Sequence, residues 1–549
     1  MADEENFKDR AKTTDFEEAK KKFEHLKNYV SEHEKKGIKF DFYPEPDRSL
    51  WKLQTADIIY PVGDPLFIHI SKRVGEITKY NVIEPKLDDS LKEVYDSIID
   101  RLVDIAYTEP VPDKVIEIGP VLIRLLDKIV IITNTKGKGI KKNLEGKLEL
   151  TQPEYDSVKY FLLRNRVGYG KLETLFYDTH LEDIHCTGVG NISAVHKVFG
   201  MISTNIRFKD DLELNKYIIE VTERVERPAS DAKAIIDAIM PDGSRVNFIY
   251  GREISQNGSS FTIRKFSKVP VSITQLIDWG TMSAQLAAYM WIALEHGMNV
   301  FVCGETASGK TTTLNALATF IKPEDKVYTV ENVPEVTLPH EIWQHLVTRE
   351  AGTDTDVTYQ DLLIAALRSR PNYIIVGEIR GEEGSIAFQA MQTGHPVMST
   401  FHAGNVTTMI QRLNGDPINI PLTFMDNLNL VLIQQAVFHD NRFVRRVLSL
   451  TELERYYEPA NKVITREVFT WDSVTDLLVF RGLFNSYILE QKIAKVLGYS
   501  NPRKIYDELN TREKILKKLV ENKVFDYYKV WAIIKNFHFG GVKTLPFKI

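Results

Sequence analysis

The stretch that decides the fold is Gly304-Glu305-Thr306-Ala307-Ser308-Gly309-Lys310-Thr311, which has the spacing of a phosphate-binding loop. Its two glycines allow a tight turn whose backbone N–H groups point inward at phosphate oxygens. Lys310 supplies a positive charge for the β- and γ-phosphates, and Thr311 supplies a hydroxyl for Mg²⁺. We therefore predict that this loop, with the adjoining Thr312, binds a nucleoside triphosphate.

The segments on either side of the loop indicate a parallel α/β sheet. A helix is predicted at Ser283–His296, a strand at Asn299–Cys303, and a second helix from Lys310. Four apolar residues of that second helix are expected to face inward: Leu314, Leu317, Ala318 and Ile321. Alternation of strands and helices is typical of a parallel sheet with helices on its faces.

A carboxylate for Mg²⁺ is predicted at the end of the apolar run Tyr373–Glu378. The run reads as a buried strand, and Gly377 permits a turn at its end. Glu378 would then emerge at the edge where open parallel sheets bind ligands. The alternative is a surface glutamate after a strand.

A further acidic segment is Lys326–Glu335, in which a strand is expected to end at Glu331 and a turn to follow at Pro334. A carboxylate here could orient or deprotonate the attacking water. The alternative is a glutamate with no part in the chemistry.

Histidines occur in Thr393–Gly404, where a strand is expected to end at His402. Its imidazole would lie near the γ-phosphate as a sensor or hydrogen-bond donor. His395 and His402 lack the usual zinc spacing, and the sequence offers no third ligand. The alternative for each is a buried, hydrogen-bonded histidine.

Length and composition limit the class of protein. A chain of 549 residues is too long for one core and predicts two or three domains. Its 43% hydrophobic and 26% charged residues fit an ordinary folded, soluble protein. The net charge of −5 gives no global reason to expect nucleic-acid binding, although it leaves room for a local basic groove. The two cysteines, Cys186 and Cys303, suit a reducing cytosol rather than a disulfide framework. No signal peptide is expected, and the longest apolar stretch, Leu286–Leu294, is far too short to span a membrane.

Five regions are predicted along the chain. They are a helical arm at 1–50, an α/β domain at 51–265, a linker at 266–272, the ATPase core at 273–460 and a mainly helical extension at 461–549.

The arm reads as one amphipathic helix from Phe16 to Val30, with a possible capping box at Thr14 and Glu17 and a stop at Gly37. It would either pack on its own domain or act as a mobile arm that docks on a partner.

Further elements are predicted outside the core. Lys128–Ile132 resembles a strand and Gln152–Asn165 a helix. Near the end of the chain, Asn501-Pro502 is a plausible helix start, and Lys514–Val524 reads as a charged helix.

Four of the segments described above resemble motifs of the secretion-superfamily ATPases, which power type II secretion, type IV pilus assembly and archaeal surface filaments. They are the phosphate loop, Lys326–Glu335, Tyr373–Glu378 and Thr393–Gly404. Their order is similar to the family's Walker A, aspartate-box, Walker B and histidine-box pattern. Upstream, three segments resemble the family's amino-terminal part: Leu181–His185, Pro241–Val246 and Phe261–Phe266. The resemblance covers roughly residues 155 to 455.

The resemblance implies a RecA-like P-loop ATPase domain preceded by a smaller α/β, PAS-like amino-terminal domain. Family members are hexamers that bind nucleotide between these two domains, and arginines of the first domain reach the phosphates. The matching residues are Arg245 and Arg264, which would neutralise charge on the transferred phosphoryl group. The alternative is that both form salt bridges within their domain.

The sequence departs from the family at Asn332, where an acid is common. This leaves open how Glu331 and Glu335 divide their roles, and Glu331 is favoured as the base. Glu331–Glu335 is similar to archaellum motor ATPases in particular, while Trp279–Thr281 and Leu338–Trp343 are similar to archaeal members.

The resemblance therefore implies an ATP- and Mg²⁺-dependent homo-hexamer in the cytoplasm, peripheral at the inner face of the cell membrane. It would drive assembly or rotation of an archaellum through a polytopic membrane platform protein and other filament-motor subunits. An archaeal type IV pilus or type II secretion ATPase is the alternative.

Two other classes of function remain to be considered. A nucleic-acid-translocating ring would need a basic channel with stacking aromatics, and the sequence has no dense basic cluster of that kind. No nucleic-acid partner is therefore expected. A non-catalytic, nucleotide-gated scaffold is disfavoured by the set Lys310, Thr311, Glu331 and Glu378.

Overall fold

The computed structural model describes residues 11–110, 115–134, 143, 146–266, 269–349, 356–439 and 442–549. The chain divides into two compact units, Met1–Ser267 and Lys268–Ile549. Residues 267 and 268 of the predicted linker lie outside the described part. Within that part, every helix is too short or too polar to cross a membrane.

The first unit is built on a ten-stranded, mainly antiparallel sheet of order β1-β2-β3-β4-β9-β8-β7-β12-β11-β10, beside a parallel pair, β5-β6. Its strands are β1 (Asp41–Phe42), β2 (Ala56–Gly63), β3 (Leu66–Lys72), β4 (Thr78–Ile83), β5 (Val130–Ile132), β6 (Leu148–Leu150), β7 (Leu181–Cys186), β8 (Gly190–His196), β9 (Gly200–Phe208), β10 (Ile235–Ile239), β11 (Arg245–Ile249) and β12 (Ser260–Arg264). Its helices are α1 (Phe16–Lys22), α2 (Glu24–Glu34), α3 (Asp89–Ile105), α4 (Val115–Ile129), α5 (Gln152–Arg166), α6 (Glu173–Tyr177) and α7 (Asp211–Arg224). The resemblance of this unit to a PAS domain stays a prediction.

The arm contains two helices rather than the predicted one. Phe23 separates α1 from α2 because its backbone is extended, with φ −119° and ψ 104°. The cap of α1 is Asp15, whose carboxylate accepts from the N–H of Glu18 at 2.7 Å, and not Thr14. A core cluster joins the arm to β2, β3 and β4 of its own unit: Ala19, Leu26, Val30, Ile59, Phe67 and Ile83. The described part of the arm therefore packs on its own domain, which is the first of the two predicted alternatives.

The strand predicted at Lys128–Ile132 is shorter than expected. Helix α4 continues to Ile129, and only Val130–Ile132 form β5, because β5 has a pairing partner for three residues only. The helix predicted from Gln152 is confirmed as α5, which begins with a capping box between Thr151 and Glu154.

The second unit contains a nine-stranded sheet of order β15-β14-β16-β17-β13-β18-β19-β20-β21. Its strands are β13 (Val300–Gly304), β14 (Val327–Glu331), β15 (Trp343–Val347), β16 (Tyr373–Ile379), β17 (Val397–Phe401), β18 (Leu430–His439), β19 (Arg442–Tyr457), β20 (Lys462–Asp472) and β21 (Leu477–Phe480). Its helices are α8 (Ile273–Asp278), α9 (Ala284–Glu295), α10 (Lys310–Ala318), α11 (Tyr359–Arg368), α12 (Glu383–Gln392), α13 (Val406–Asn414), α14 (Ala494–Val496), α15 (Ile505–Glu521) and α16 (Tyr527–Gly540). Going across the sheet from β15 to β18, each strand is parallel to its neighbour. From β18 to β21, each strand is antiparallel to its neighbour. The predicted RecA-like α/β fold is therefore confirmed.

The phosphate loop connects two buried elements. All five residues of β13 are buried. So are the residues of the following helix that were predicted to face inward: Leu314, Leu317, Ala318 and Ile321. This packing fixes the direction in which α10 leaves the sheet.

The extension is not helical from its start. Residues 462–480 form β20 and β21, which continue the sheet antiparallel to β19. Charged residues such as Lys462 and Glu467 weaken the apolar signal because this end of the sheet is partly exposed. Helical structure begins only at Ile488, with a π-helix at Ile488–Ile493 that leads into α14. Asn501 caps a short 3-10 turn ahead of α15, and α15 ends at Glu521 rather than Val524.

Candidate functional site

The predicted site residues of the second unit lie at the carboxyl ends of parallel strands, which meet along one edge of the sheet. Strands β14, β16, β17 and β13 are neighbours in that order and run parallel. Cys303 pairs with Phe401, and Phe401 pairs with Ile379, so these strand ends lie level. Because neighbouring strands lie about 4.8 Å apart, β13 and β16 are separated by roughly 10 Å.

The phosphate loop has the backbone that its glycines predict. Gly309 caps α10 with φ 91°, in the left-handed region that favours glycine, and Ala307 has φ 61°. A Cβ on Gly304 would lie 2.2 Å from the carbonyl oxygen of Gln434, so only glycine fits there. Lys310 Nζ donates to the carbonyl of Glu305 at 3.0 Å, across the loop.

The side chains of the loop leave its backbone accessible. Glu305, Thr306 and Ala307 are exposed, whereas Thr311 and Thr312 are half-buried. The buried Ser308 Oγ has no hydrogen-bond partner within the described residues. A buried hydroxyl, two glycines and a helix N-terminus at one loop fit a phosphate group.

Two side chains from β18 and β19 support this loop. Gln434 Nε2 donates to the carbonyl of Ser308 at 2.8 Å, and its Oε1 accepts from Thr313 Oγ1 at 2.6 Å. Arg445 Nε donates to the carbonyl of Ala307 at 3.1 Å. Neither Gln434 nor Arg445 is predicted from the sequence as a site residue. Gln434 lies 126 positions from Ser308, and no local motif marks it.

Glu378 lies inside β16 and not after it, which corrects the predicted turn. The strand continues to Ile379 through a β-bulge between Val376 and Glu378. Gly377 is needed for close packing, since a Cβ there would lie 3.0 Å from Glu331 Cγ. The partly exposed Glu378 carboxylate accepts from Arg380 Nε at 2.8 Å and from a terminal nitrogen of the same guanidinium at 2.5 Å.

Glu331, at the end of β14, is 2% exposed and accepts three hydrogen bonds. One carboxylate oxygen accepts from the backbone N–H groups of Glu335 and Val336, at 3.0 and 2.9 Å. The other accepts from His345 Nε2 at 2.8 Å. These bonds close a turn, and we call Glu331–Thr337 the acidic loop.

Glu335 has the more accessible carboxylate of the two acids. Its side chain is half-buried, whereas that of Glu331 is buried. Its own backbone is held on both sides, by Glu331 at the N–H and by Asn315 Nδ2 at the carbonyl, the latter at 2.9 Å. Asn332, where the family commonly has an acid, is exposed and accepts from Thr348 Oγ1 at 3.1 Å.

His402 follows β17 directly and is half-buried. The Arg412 guanidinium donates to its carbonyl oxygen. The next glycine, Gly404, accepts from Gln435 Nε2 at 3.2 Å, and a Cβ on Gly404 would lie 3.7 Å from Glu305 Oε1. The loop that carries His402 therefore lies beside the phosphate loop, whereas His395 precedes the same strand at its opposite end.

The two candidate arginines lie opposite each other in the first unit. Arg245 on β11 pairs with Arg264 on β12, and Arg264 pairs with Asp183 on β7. Residues directly opposite on antiparallel strands point to the same face, so the three side chains form one cross-strand row. Arg245 is half-buried and Arg264 is exposed.

Residues 170–459 match the model of a family described as "Type II/IV secretion system protein". An uncharacterised protein of Methanocaldococcus jannaschii is 50% identical over 543 residues, which are 97% of this chain and 98% of that protein. The type IV secretion system protein PtlH of Bordetella pertussis is 30% identical over 212 residues, 34% of this chain and 62% of its own length. Among solved structures, the ATPase DotB of Legionella pneumophila is 20% identical, covering 68% of this chain and 91% of that one, with a TM-score of 0.38.

Proposed function

Because the chain belongs to the type II/IV secretion system protein family, we propose that it is an ATP-hydrolysing motor of a secretion or surface-filament system. One observation carries this proposal. The phosphate loop, the acidic loop, Glu378 and His402 lie at the carboxyl ends of neighbouring parallel strands, on one edge of the sheet.

The phosphate loop would bind the triphosphate through its backbone N–H groups and Lys310. The Thr311 hydroxyl and the Glu378 carboxylate are the residues that would hold Mg²⁺, the latter directly or through water. When bound, Mg²⁺ neutralises charge on the phosphate oxygens. Arg380 keeps the Glu378 carboxylate oriented through its two hydrogen bonds.

We assign the water-orienting carboxylate to Glu335 rather than to Glu331. A general base must be able to reach the proton that it takes, which favours the less buried of the two carboxylates. Glu331 accepts three hydrogen bonds and is buried, so it serves the acidic loop as a structural acid. The less buried Glu335 has its backbone fixed by that same turn.

Arg245 and Arg264 would complete the site within a homo-hexamer, as the family resemblance implies. Changing Arg245 to Ala is then expected to leave nucleotide binding intact and to lower turnover on the order of 10³-fold. Phosphate release and a nucleotide titration on the assembled protein would measure the two effects. Normal turnover in this variant would exclude the arginine from the transition state.

The finer proposal is an archaellum motor, peripheral at the inner face of the cell membrane, that acts through a polytopic platform protein and other filament-motor subunits. The segment Glu331–Glu335 and the archaeal relatives support it. An archaeal type IV pilus or type II secretion ATPase is the alternative. Capture of the intact chain from membranes, with identification of the platform protein that accompanies it, would distinguish these systems.

Hydrolysis itself is tested by phosphate release from ATP and Mg²⁺ with the intact chain. Changing Lys310 to Ala should lower the rate on the order of 10³-fold, since one preorganised charge is lost from the phosphates. Lys495→Ala, at an exposed lysine of α14, is the matched control. Absence of hydrolysis in the unaltered chain would refute the proposal, and stimulation by single-stranded DNA would favour a nucleic-acid-translocating ring.

A further inference from the structure

Helix α16 lies along the end of the acidic loop and the residues after it. Tyr527, Trp531 and Lys535 are spaced four residues apart and therefore share one face of this helix. Tyr527 Oη donates to the carbonyl of Thr337 at 3.0 Å. Further along, the Trp531 ring lies 6.2 Å from that of His340, and Lys535 Nζ binds Glu341 Oε1 at 2.7 Å. The helix thus contacts residues 337–341 along one of its faces.

Tyr527 also reaches the helix that follows the phosphate loop. Its hydroxyl lies 3.3 Å from the carbonyl oxygen of Asn315, in α10, and the side chain is 1% exposed. The Asn315 amide in turn holds the acidic loop. Its Nδ2 donates to the carbonyl of Glu335 at 2.9 Å, and its Oδ1 accepts from the N–H of Thr337 at 3.1 Å. We call Tyr527, Asn315 and Thr337 the tyrosine bracket.

The start and the end of α16 are anchored in the second unit. The carbonyl of Val524, just before the helix, accepts from Thr274 Oγ1 at 2.7 Å. At the other end, His538 Nδ1 lies 2.8 Å from Glu295 Oε1, and the Arg512 guanidinium pairs with the same carboxylate. A helix that is held at both ends can act as a fixed support for the acidic loop, which it contacts through Tyr527.

We propose that α16 is a positioning element for ATP hydrolysis. Tyr527, acting through Asn315 and Thr337, sets the backbone of the acidic loop and hence the position of the Glu335 carboxylate relative to α10. The inference rests on the proposed ATPase function and gives a role to the last helix of the chain. Tyr527 is a positioning residue, since it contacts the loop and not the reacting atoms.

The test compares Tyr527→Phe with Tyr528→Phe in the intact chain. Each change removes one hydroxyl, but Tyr528 is 46% exposed, so its loss is the matched control. For Tyr527→Phe we expect kcat to fall about five- to tenfold, the effect of one buried hydrogen bond on a transition state. The KM for ATP and the Kd for ADP should match those of Tyr528→Phe, while the lost buried hydrogen bond should lower the unfolding temperature by only about 2–4 °C.

A second variant keeps the test decisive if Tyr527→Phe is poorly folded. Asn315→Ala removes both hydrogen bonds from this side chain to the acidic loop without adding a buried charge, and it should also lower kcat while the Kd for ADP stays unchanged. In the double variant the two losses should be less than multiplicative, because both act through one loop. Equal kcat in the two tyrosine variants would overturn the inference, as would losses of kcat that in both Tyr527→Phe and Asn315→Ala only match the loss of folded protein. Absence of hydrolysis by the unaltered chain would instead refute the proposed function.

Discussion

The phosphate loop and the acidic loop lie at one edge of the same sheet, but they are held in different ways. The first owes its shape to backbone geometry at Gly304 and Gly309 and is braced from β18 and β19. The second is shaped by a buried side chain, Glu331, and braced by α10 and α16. Binding and hydrolysis therefore depend on different distant parts of the chain, which can be separated by mutation.

Among the variants that test how these two loops are held, Glu335→Gln is expected to have the largest effect. If Glu335 orients the water, replacing its carboxylate by the amide of glutamine should lower turnover on the order of 10²- to 10³-fold. Nucleotide affinity should not change, because the phosphate loop is untouched. Phosphate release and an ADP titration measure the two quantities separately.

Glu331→Gln is the counterpart that can reverse this assignment. The amide would leave part of the buried network of Glu335, Val336 and His345 unpaired, at a cost of about 1–3 kcal/mol in the free energy of unfolding. Denaturant unfolding should therefore detect this change and not Glu335→Gln. A fully stable but inactive Glu331→Gln protein would make Glu331 the base.

A smaller effect is expected from Gln434→Leu, which removes the hydrogen bonds of this side chain to Ser308 and Thr313. Nucleotide affinity should fall about tenfold, the effect of roughly 1.4 kcal/mol. Gln411→Leu, at an exposed glutamine of α13, controls for the change of residue type. Unchanged ADP affinity would show that the glycines alone suffice to shape the loop.

The smallest effect is expected from Arg445→Ala, which removes a more exposed hydrogen bond to Ala307. We expect about a threefold loss of nucleotide affinity. Arg455→Ala, at an exposed arginine on the same strand, is the control. A loss larger than that of Gln434→Leu would mean that β19, and not β18, is the main support of the loop.

Motifs that are contiguous in the sequence could be predicted well. The strand, loop and helix around Lys310 follow from residues within one short stretch, and the structure has all three elements. The exposed end of the sheet at 462–480 was missed because its apolar residues lack a clear period. The break at Phe23 was missed since the apolar residues continue through it with helical spacing.

Contacts between distant residues could not be predicted. Nothing near Glu331 in the sequence shows that its carboxylate turns back onto the backbone of Glu335 and the ring of His345. Gln434 and Tyr527 lie far along the chain from the loops that they contact, and each looks like an ordinary strand or helix residue. Only the paired strands and packed helices bring them together.

The two cysteines have a practical consequence for following these units in solution. Cys186 is buried in the first sheet and Cys303 directly precedes the phosphate loop, and burial raises the pKa of each thiol. Because thiols react as thiolates, alkylating reagents should reach neither until the surrounding strands open. Each unit thus carries its own chemical reporter of local opening, and a bound nucleotide should protect the second thiol, which lies beside the phosphate loop.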